Sequence, residues 1–186
     1  MPARLGEVDG PGGLFTMSWH TGAILIRSDD LPGFPFLLGR LGFPGATEDR
    51  PIDFDSATSL MAIDDLEGGL GAAAARVDGW ASIWGPMVVA DPIALAELSR
   101  GGAAMTLLLE GASGTAGFEW FVDGVLRRRW LVQSGEMIED AGEPLPEEAD
   151  APDDDPEGRA LHLLARLALP VERLGAVDYT LYQFPE

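Results

Sequence analysis

The 186-residue chain contains no cysteine, no lysine and no asparagine, and only two histidines. The missing cysteine excludes disulfides, thiolate catalysis and thiolate metal sites. Without lysine no side chain can form a Schiff base, anchor pyridoxal phosphate or supply the phosphate-binding lysine of a P-loop. All 12 basic residues are arginine. Lysine and asparagine use A-rich codons, so their joint absence beside 24 glycines and 14 prolines points to a GC-rich bacterial genome. Positive charge is scarce: 31 acidic residues stand against 12 arginines, giving a formal charge of -19 and a pI near 4.2. So negative a surface repels phosphate backbones and anionic lipid, and neither a nucleic-acid nor a membrane partner is expected. Acid-rich surfaces also suit a salty cytosol, where self-repulsion is screened.

What remains is sufficient for one folded domain. Hydrophobic residues make up 46% of the chain, enough to bury a core without staples. Residues 1–16 are rich in glycine and proline and lack periodicity, which predicts a flexible leader. Met1-Pro2-Ala3-Arg4-Leu5-Gly6 does not open a signal peptide, and no apolar run reaches the ~18 residues of a spanning helix. A cytoplasmic protein with a single domain over 17–186 is expected.

Along that domain, Ala23-Ile24-Leu25-Ile26, Met105 to Leu109 and Tyr179 to Phe184 read as strands. Asp78-Gly79 before Trp80-Ala81-Ser82-Ile83-Trp84 marks a hairpin. Gly68 to Ala75 looks helical by its alanines, yet its three glycines each cost about 1 kcal/mol in a helix, so a strand fits equally, and Ser56 to Ile63 is ambiguous. Leu31 to Pro51, with a proline or glycine every few residues, reads as a packed loop pinned by Phe34, Phe36 and Phe43. Two helices carry full punctuation. Asp91 caps and Pro92 opens the first, with Gly101 beyond its end; Asp155 caps and Pro156 opens the second, which stops before Pro170. Strands joined by hairpins with a few short helices define an α+β fold with a mainly antiparallel sheet.

The strongest hairpin signal is Phe118 to Val132 around Asp123-Gly124. Regular pairing from Val122 opposite Val125 places Trp120 opposite Arg127, Glu119 opposite Arg128 and Phe118 opposite Arg129. In that register the three arginines have aromatic and acidic neighbours.

Catalytic signatures are sparse. His20 and His162 lie 142 positions apart, no Gly-x-Ser-x-Gly elbow occurs, and the glycine-rich Gly111 to Gly117 lacks the lysine and helix of a phosphate loop. It reads as a hairpin loop. No cofactor and no metal are expected, and the balance leans away from an enzyme. The acids are concentrated instead. Glu136 to Glu157 holds 11 of the 31 acids and no basic residue, more than half of the net charge. With its prolines, this stretch reads as an extended, exposed acidic loop. Asp153-Asp154-Asp155 lacks the alternation of an EF-hand.

His20-Thr21-Gly22-Ala23, Gly79-Trp80, Phe121-Val122-Asp123-Gly124-Val125-Leu126-Arg127 and Glu139-Asp140-Ala141-Gly142-Glu143-Pro144-Leu145-Pro146-Glu147-Glu148 together resemble an uncharacterised family of small actinobacterial proteins, over roughly Met17 to Tyr182. The resemblance implies a bacterial cytoplasmic setting and an α+β fold, and assigns no functional residue.

Three functions are open from these residues. The first is a non-enzymatic acidic protein-binding domain, in its sharpest form an immunity protein neutralising a toxin, with Glu143, Glu147, Glu148, Asp150, Asp153 and Asp154 meeting a basic partner. The second is a small enzyme or ligand-binding domain, with Trp80, Trp84, Trp120 and Trp130 lining a pocket and Arg127 and Arg129 holding an anion. The third is the scaffold subunit of a homo-oligomer.

Overall fold

The computed structural model describes residues 19–60, 71–85 and 91–185; the predicted leader lies outside them. Among these residues nine strands form one sheet: β1 (His20–Arg27), β2 (Thr47–Ile52), β3 (Gly71–Val77), β4 (Trp80–Gly85), β5 (Ala103–Glu110), β6 (Thr115–Val122), β7 (Val125–Gln133), β8 (Glu136–Ala141) and β9 (Tyr179–Gln183). Their order is β2-β9-β3-β4-β1-β5-β6-β7-β8, and every neighbouring pair is antiparallel. The helices are short: α1 (Phe34–Arg40), α2 (Phe54–Thr58), α3 (Pro92–Leu98), α4 (Pro156–Leu167) and α5 (Val171–Leu174). The expected fold class, a mainly antiparallel sheet with a few short helices, is what the structure has. No helix among the described residues is long and apolar enough to cross a membrane.

The sheet is covered on both faces, which is why β1 reads as an unbroken apolar run rather than an alternating one. Ala23 and Leu25 point into a core with Trp84, Trp120, Trp130, Phe54 of α2, Leu163 and Leu164 of α4, and Leu174 of α5. Ile24 and Ile26 point the other way, into a core with Leu37 and Leu38 of α1, Leu95 of α3, Phe121 and Tyr182. Alternate alanines of β3 serve the two faces in turn, Ala73 and Ala75 one and Ala72 and Ala74 the other. The Gly68–Ala75 ambiguity thus resolves as strand from Gly71 onward, residues 68–70 lying outside the described part.

Both Asp-Gly hairpins form as the sequence predicts. Asp78 and Gly79 have φ of 47° and 82°, Asp123 and Gly124 of 49° and 80°, the left-handed pair that a two-residue turn between twisted strands requires. The two punctuated helices also form, with Asp91 accepting from the Ile93 amide at 2.9 Å and Asp155 from the Gly158 amide at 2.9 Å. Proline at the first helical position costs neither helix a hydrogen bond.

Leu31 to Pro51 departs from the expected loop. It contains α1 and edge strand β2. Pro35 falls in the first turn of α1, where no amide partner is lost, and Pro51 falls beside a register shift on an edge strand, the place in a sheet that tolerates it. Phe34 and Phe43 do pack against the core, but Phe36 is 60% exposed and pins nothing.

Candidate functional site

The site grows from a single extra residue in β7. Val125 pairs with Val122 as expected, but Phe121 then pairs with Leu126, Trp120 with Arg128 and Glu119 with Arg129. Arg127 is a bulge. The expected pairs Trp120–Arg127, Glu119–Arg128 and Phe118–Arg129 are therefore each shifted by one residue, and Phe118 lies opposite Trp130. A one-residue slip exchanges faces. Arg128 joins Trp120 on the face covered by α4, and Arg129 joins Glu119 on the opposite face, where its Nε donates to Glu119 at 2.6 Å.

Turned inward, Arg128 is only 3% exposed. Its guanidinium meets Glu148 in a fork, Nε donating to Oε1 at 2.7 Å and Nη2 to Oε2 at 3.1 Å. Nη1 bonds Asp140 of β8 and the carbonyl of Ala141 at 3.3 Å. Glu148 ends a 3-10 turn, Pro146–Glu148. Its Oε1 also accepts from the Leu145 amide at 2.9 Å, and its Oε2 from Arg159 of α4 at 2.9 Å. Arg159 lies over the Trp130 ring, 5.4 Å from its centroid, and reaches Asp153 at 3.1 Å.

Burial alone would raise the Glu148 carboxyl. The hydrogen bonds from Arg128, the Leu145 amide and Arg159 outweigh burial and hold it below the usual carboxylate value of 4.5. The hydrogen bond to Glu148 pushes the Arg128 guanidinium up against the desolvation that opposes it, with Asp140 adding to the rise. Arg128 and Glu148, both largely removed from water, thus stay ionised because each satisfies the other.

This cluster corrects the expected acidic loop. Glu136 to Ala141 is strand β8, paired with β7, and Leu145 to Glu148 is tied down by the same carboxylate. Of the six predicted partner-binding acids, Glu148 is buried and spent inside, and Asp153 is exposed but paired with Arg159. Glu143, Asp150 and Asp154 are exposed and Glu147 half-buried, and none of these four makes an ion pair among the described residues. The signal for Glu148 was present in the sequence only as a glutamate three residues after Leu145, a spacing that lets a carboxylate turn back onto an amide.

Two grooves flank the anchored turn. One, of about 490 Å³, is lined by the apolar Trp130, Val132 and Met137 together with Arg128, Arg159, Asp140, Asp153 and Asp154. The arginines are engaged by Glu148, so the neighbourhood keeps a surplus of negative charge. The other, of about 630 Å³, is lined by Trp120, Leu126 and Leu145 together with Arg127, Arg166, Glu143 and Glu147.

The predicted tryptophan and arginine pocket is mostly dispersed. Trp80 and Trp84 are buried in the core, where Trp84 donates to Ser82 Oγ at 2.8 Å, and Arg129 is paired with Glu119 on the opposite face. Only Trp120 and Arg127 meet in one groove, joined there by Arg166, which the sequence reading missed. His162 Nε2 lies 3.2 Å from the Glu147 carbonyl; the side chain of His20 lies outside the described part. Among the described residues no group of three or more acidic or histidine side chains is placed to hold a metal ion. Comparison with known proteins gives no match to a family model, a curated protein or a solved structure.

Proposed function

We propose that the protein is a non-enzymatic binding protein whose acidic segment, residues 136–157, receives a basic protein partner. One observation carries this reading. Arg128, Glu148 and Arg159 bolt a proline-rich, strongly acidic stretch onto the sheet, so that its remaining carboxylates form a fixed surface instead of a solvated tether. Fixed like charges keep their field concentrated at one place, which steers a cationic protein toward it and loses no segment entropy on contact. In the sharpest form of the reading the partner is a toxin and the protein its neutraliser, acting in the bacterial cytoplasm.

The test is affinity capture with the immobilised full chain, with bound proteins identified and titrated against salt. A basic protein released by raising salt, and no longer captured by the variant Glu143→Gln/Asp150→Asn/Asp154→Asn, supports the reading. A partner held equally well by that variant, or with an affinity indifferent to salt, overturns it.

A second reading rests on the larger groove, where Arg127 and Arg166 make no ion pair among the described residues although the chain is rich in acids. Two such guanidiniums beside Trp120 suit a small amphipathic anion. Thermal stabilisation by aromatic carboxylates, lost in Arg166→Gln, distinguishes this reading from the first.

A further inference from the structure

The two edges of the sheet are unlike. Edge strand β2 carries Pro51 and a register shift, and Tyr182 Oη and Gln183 Nε2 hold Glu48 and Asp49 at 3.0 and 3.1 Å. Proline, which donates no amide to an added strand, blunts an edge. Edge strand β8 also has a register shift, opposite Leu131 and Val132, but it has no proline and all six of its residues are exposed. Among the described residues it pairs with β7 alone, so one row of its backbone groups has no strand partner there. Met137 and Ile138 are 52% and 50% exposed, apolar surface on the outermost strand.

We infer that β8 is the landing edge for the partner, which adds an extended segment to it as a tenth strand, with arginine or lysine alternating with apolar residues. This rests on the acidic-surface reading above and specifies how the partner is held. Charge selects the occupant. Glu139 and Asp140 share Arg129 and Arg128 with Glu119 and Glu148, which leaves negative charge in surplus, and with Glu136 they would oppose the same acids of a second copy; like charges across a strand pair destabilise it. A basic strand meets them favourably. On the α4 side of the sheet, Met137 and Asp140 share their face with Val132 and Trp130, so every second side chain of an incoming strand points toward the 490 Å³ groove with its apolar lining and carboxylates. Main-chain bonds to β8 supply grip, and the groove selects cationic side chains.

The experiment uses the full chain and a synthetic peptide of about ten residues alternating arginine and valine, in three forms: unmodified, and N-methylated at every second residue in each of the two phases. In strand addition only alternate amides face the sheet. The expected result is that one methylated phase loses about tenfold or more in affinity while the other stays within about twofold of the parent, and that Asp154→Asn weakens all three forms. Equal affinity of both phases overturns strand addition, yet leaves the acidic-surface reading standing if the Glu143→Gln/Asp150→Asn/Asp154→Asn variant still loses the peptide. No binding of any form at low salt counts against both. Self-association that Ile138→Lys abolishes shows a second copy on β8 and also overturns the inference.

Discussion

Glu148 is one of eleven acids in its stretch of chain, and its neighbours in sequence are chemically the same. Only its surroundings differ, since it is 7% exposed and touches two arginines. That distinction could not be read from the residues, because it depends on which arginine the bulge turns inward. Removing one partner of a buried ion pair strands the other, so Glu148→Ala is expected to cost about 3–5 kcal/mol in urea unfolding. Asp153→Ala, which breaks a bridge to a side chain 96% exposed, is expected to cost under about 1 kcal/mol. The lowered carboxyl of Glu148 also fixes a sign. Its contribution is present in full above the unfolded glutamate value near 4.5 and disappears as pH falls through the lower folded value. Wild-type stability should therefore fall more steeply below pH 4.5 than that of Glu148→Gln, as followed by the urea midpoint. Gly142 is the other critical residue. It has φ of +87°, and a Cβ there would lie 2.2 Å from the Arg127 carbonyl oxygen. Gly142→Ala should lift the acidic segment from the bulge, seen as a lowered unfolding midpoint and increased proteolysis after residue 142.

At the level of elements, legibility followed locality. The Asp78-Gly79 and Asp123-Gly124 turns and the Asp91 and Asp155 caps are chosen within a few residues, and they form as the sequence predicts. Asp155→Ala should cost about 1 kcal/mol, read as a shift in the thermal midpoint. The bulge at Arg127 has no comparable local mark. Its neighbour Gly142 lies across the β7–β8 edge, and the extra residue sits among three identical arginines. Deleting Arg127 leaves the pairs Phe121–Leu126, Trp120–Arg128 and Glu119–Arg129 in a regular ladder. The expected product unfolds cooperatively with Arg128 still buried; loss of cooperativity would show that the bulge itself holds the sheet. The helix α1 and strand β2 were illegible for a related reason, since Pro35 and Pro51 are acceptable only in a first helical turn and at a sheet edge, and sequence alone does not say which strand lies at the edge.

Across the whole molecule, the arginines divide the labour. Arg128 and Arg159 are turned inward to fasten the acidic segment, while Glu143, Asp150 and Asp154 are left facing solvent. The concentration of charge was visible in the sequence, but its rigidity was not, because prolines and like charges locally favour an open chain. The claim on which this account depends is that residues 136–157 form an anchored surface. Amide hydrogen exchange tests it most directly, at Leu145, Glu148 and Ala151, whose N–H groups donate to the Glu148 carboxylate, the Leu145 carbonyl and the Glu148 carbonyl. Protection of these three amides in the wild type, lost in Glu148→Ala while the amides of β5 and β6 stay protected, is the predicted result; exchange at the free-chain rate in the wild type would contradict it.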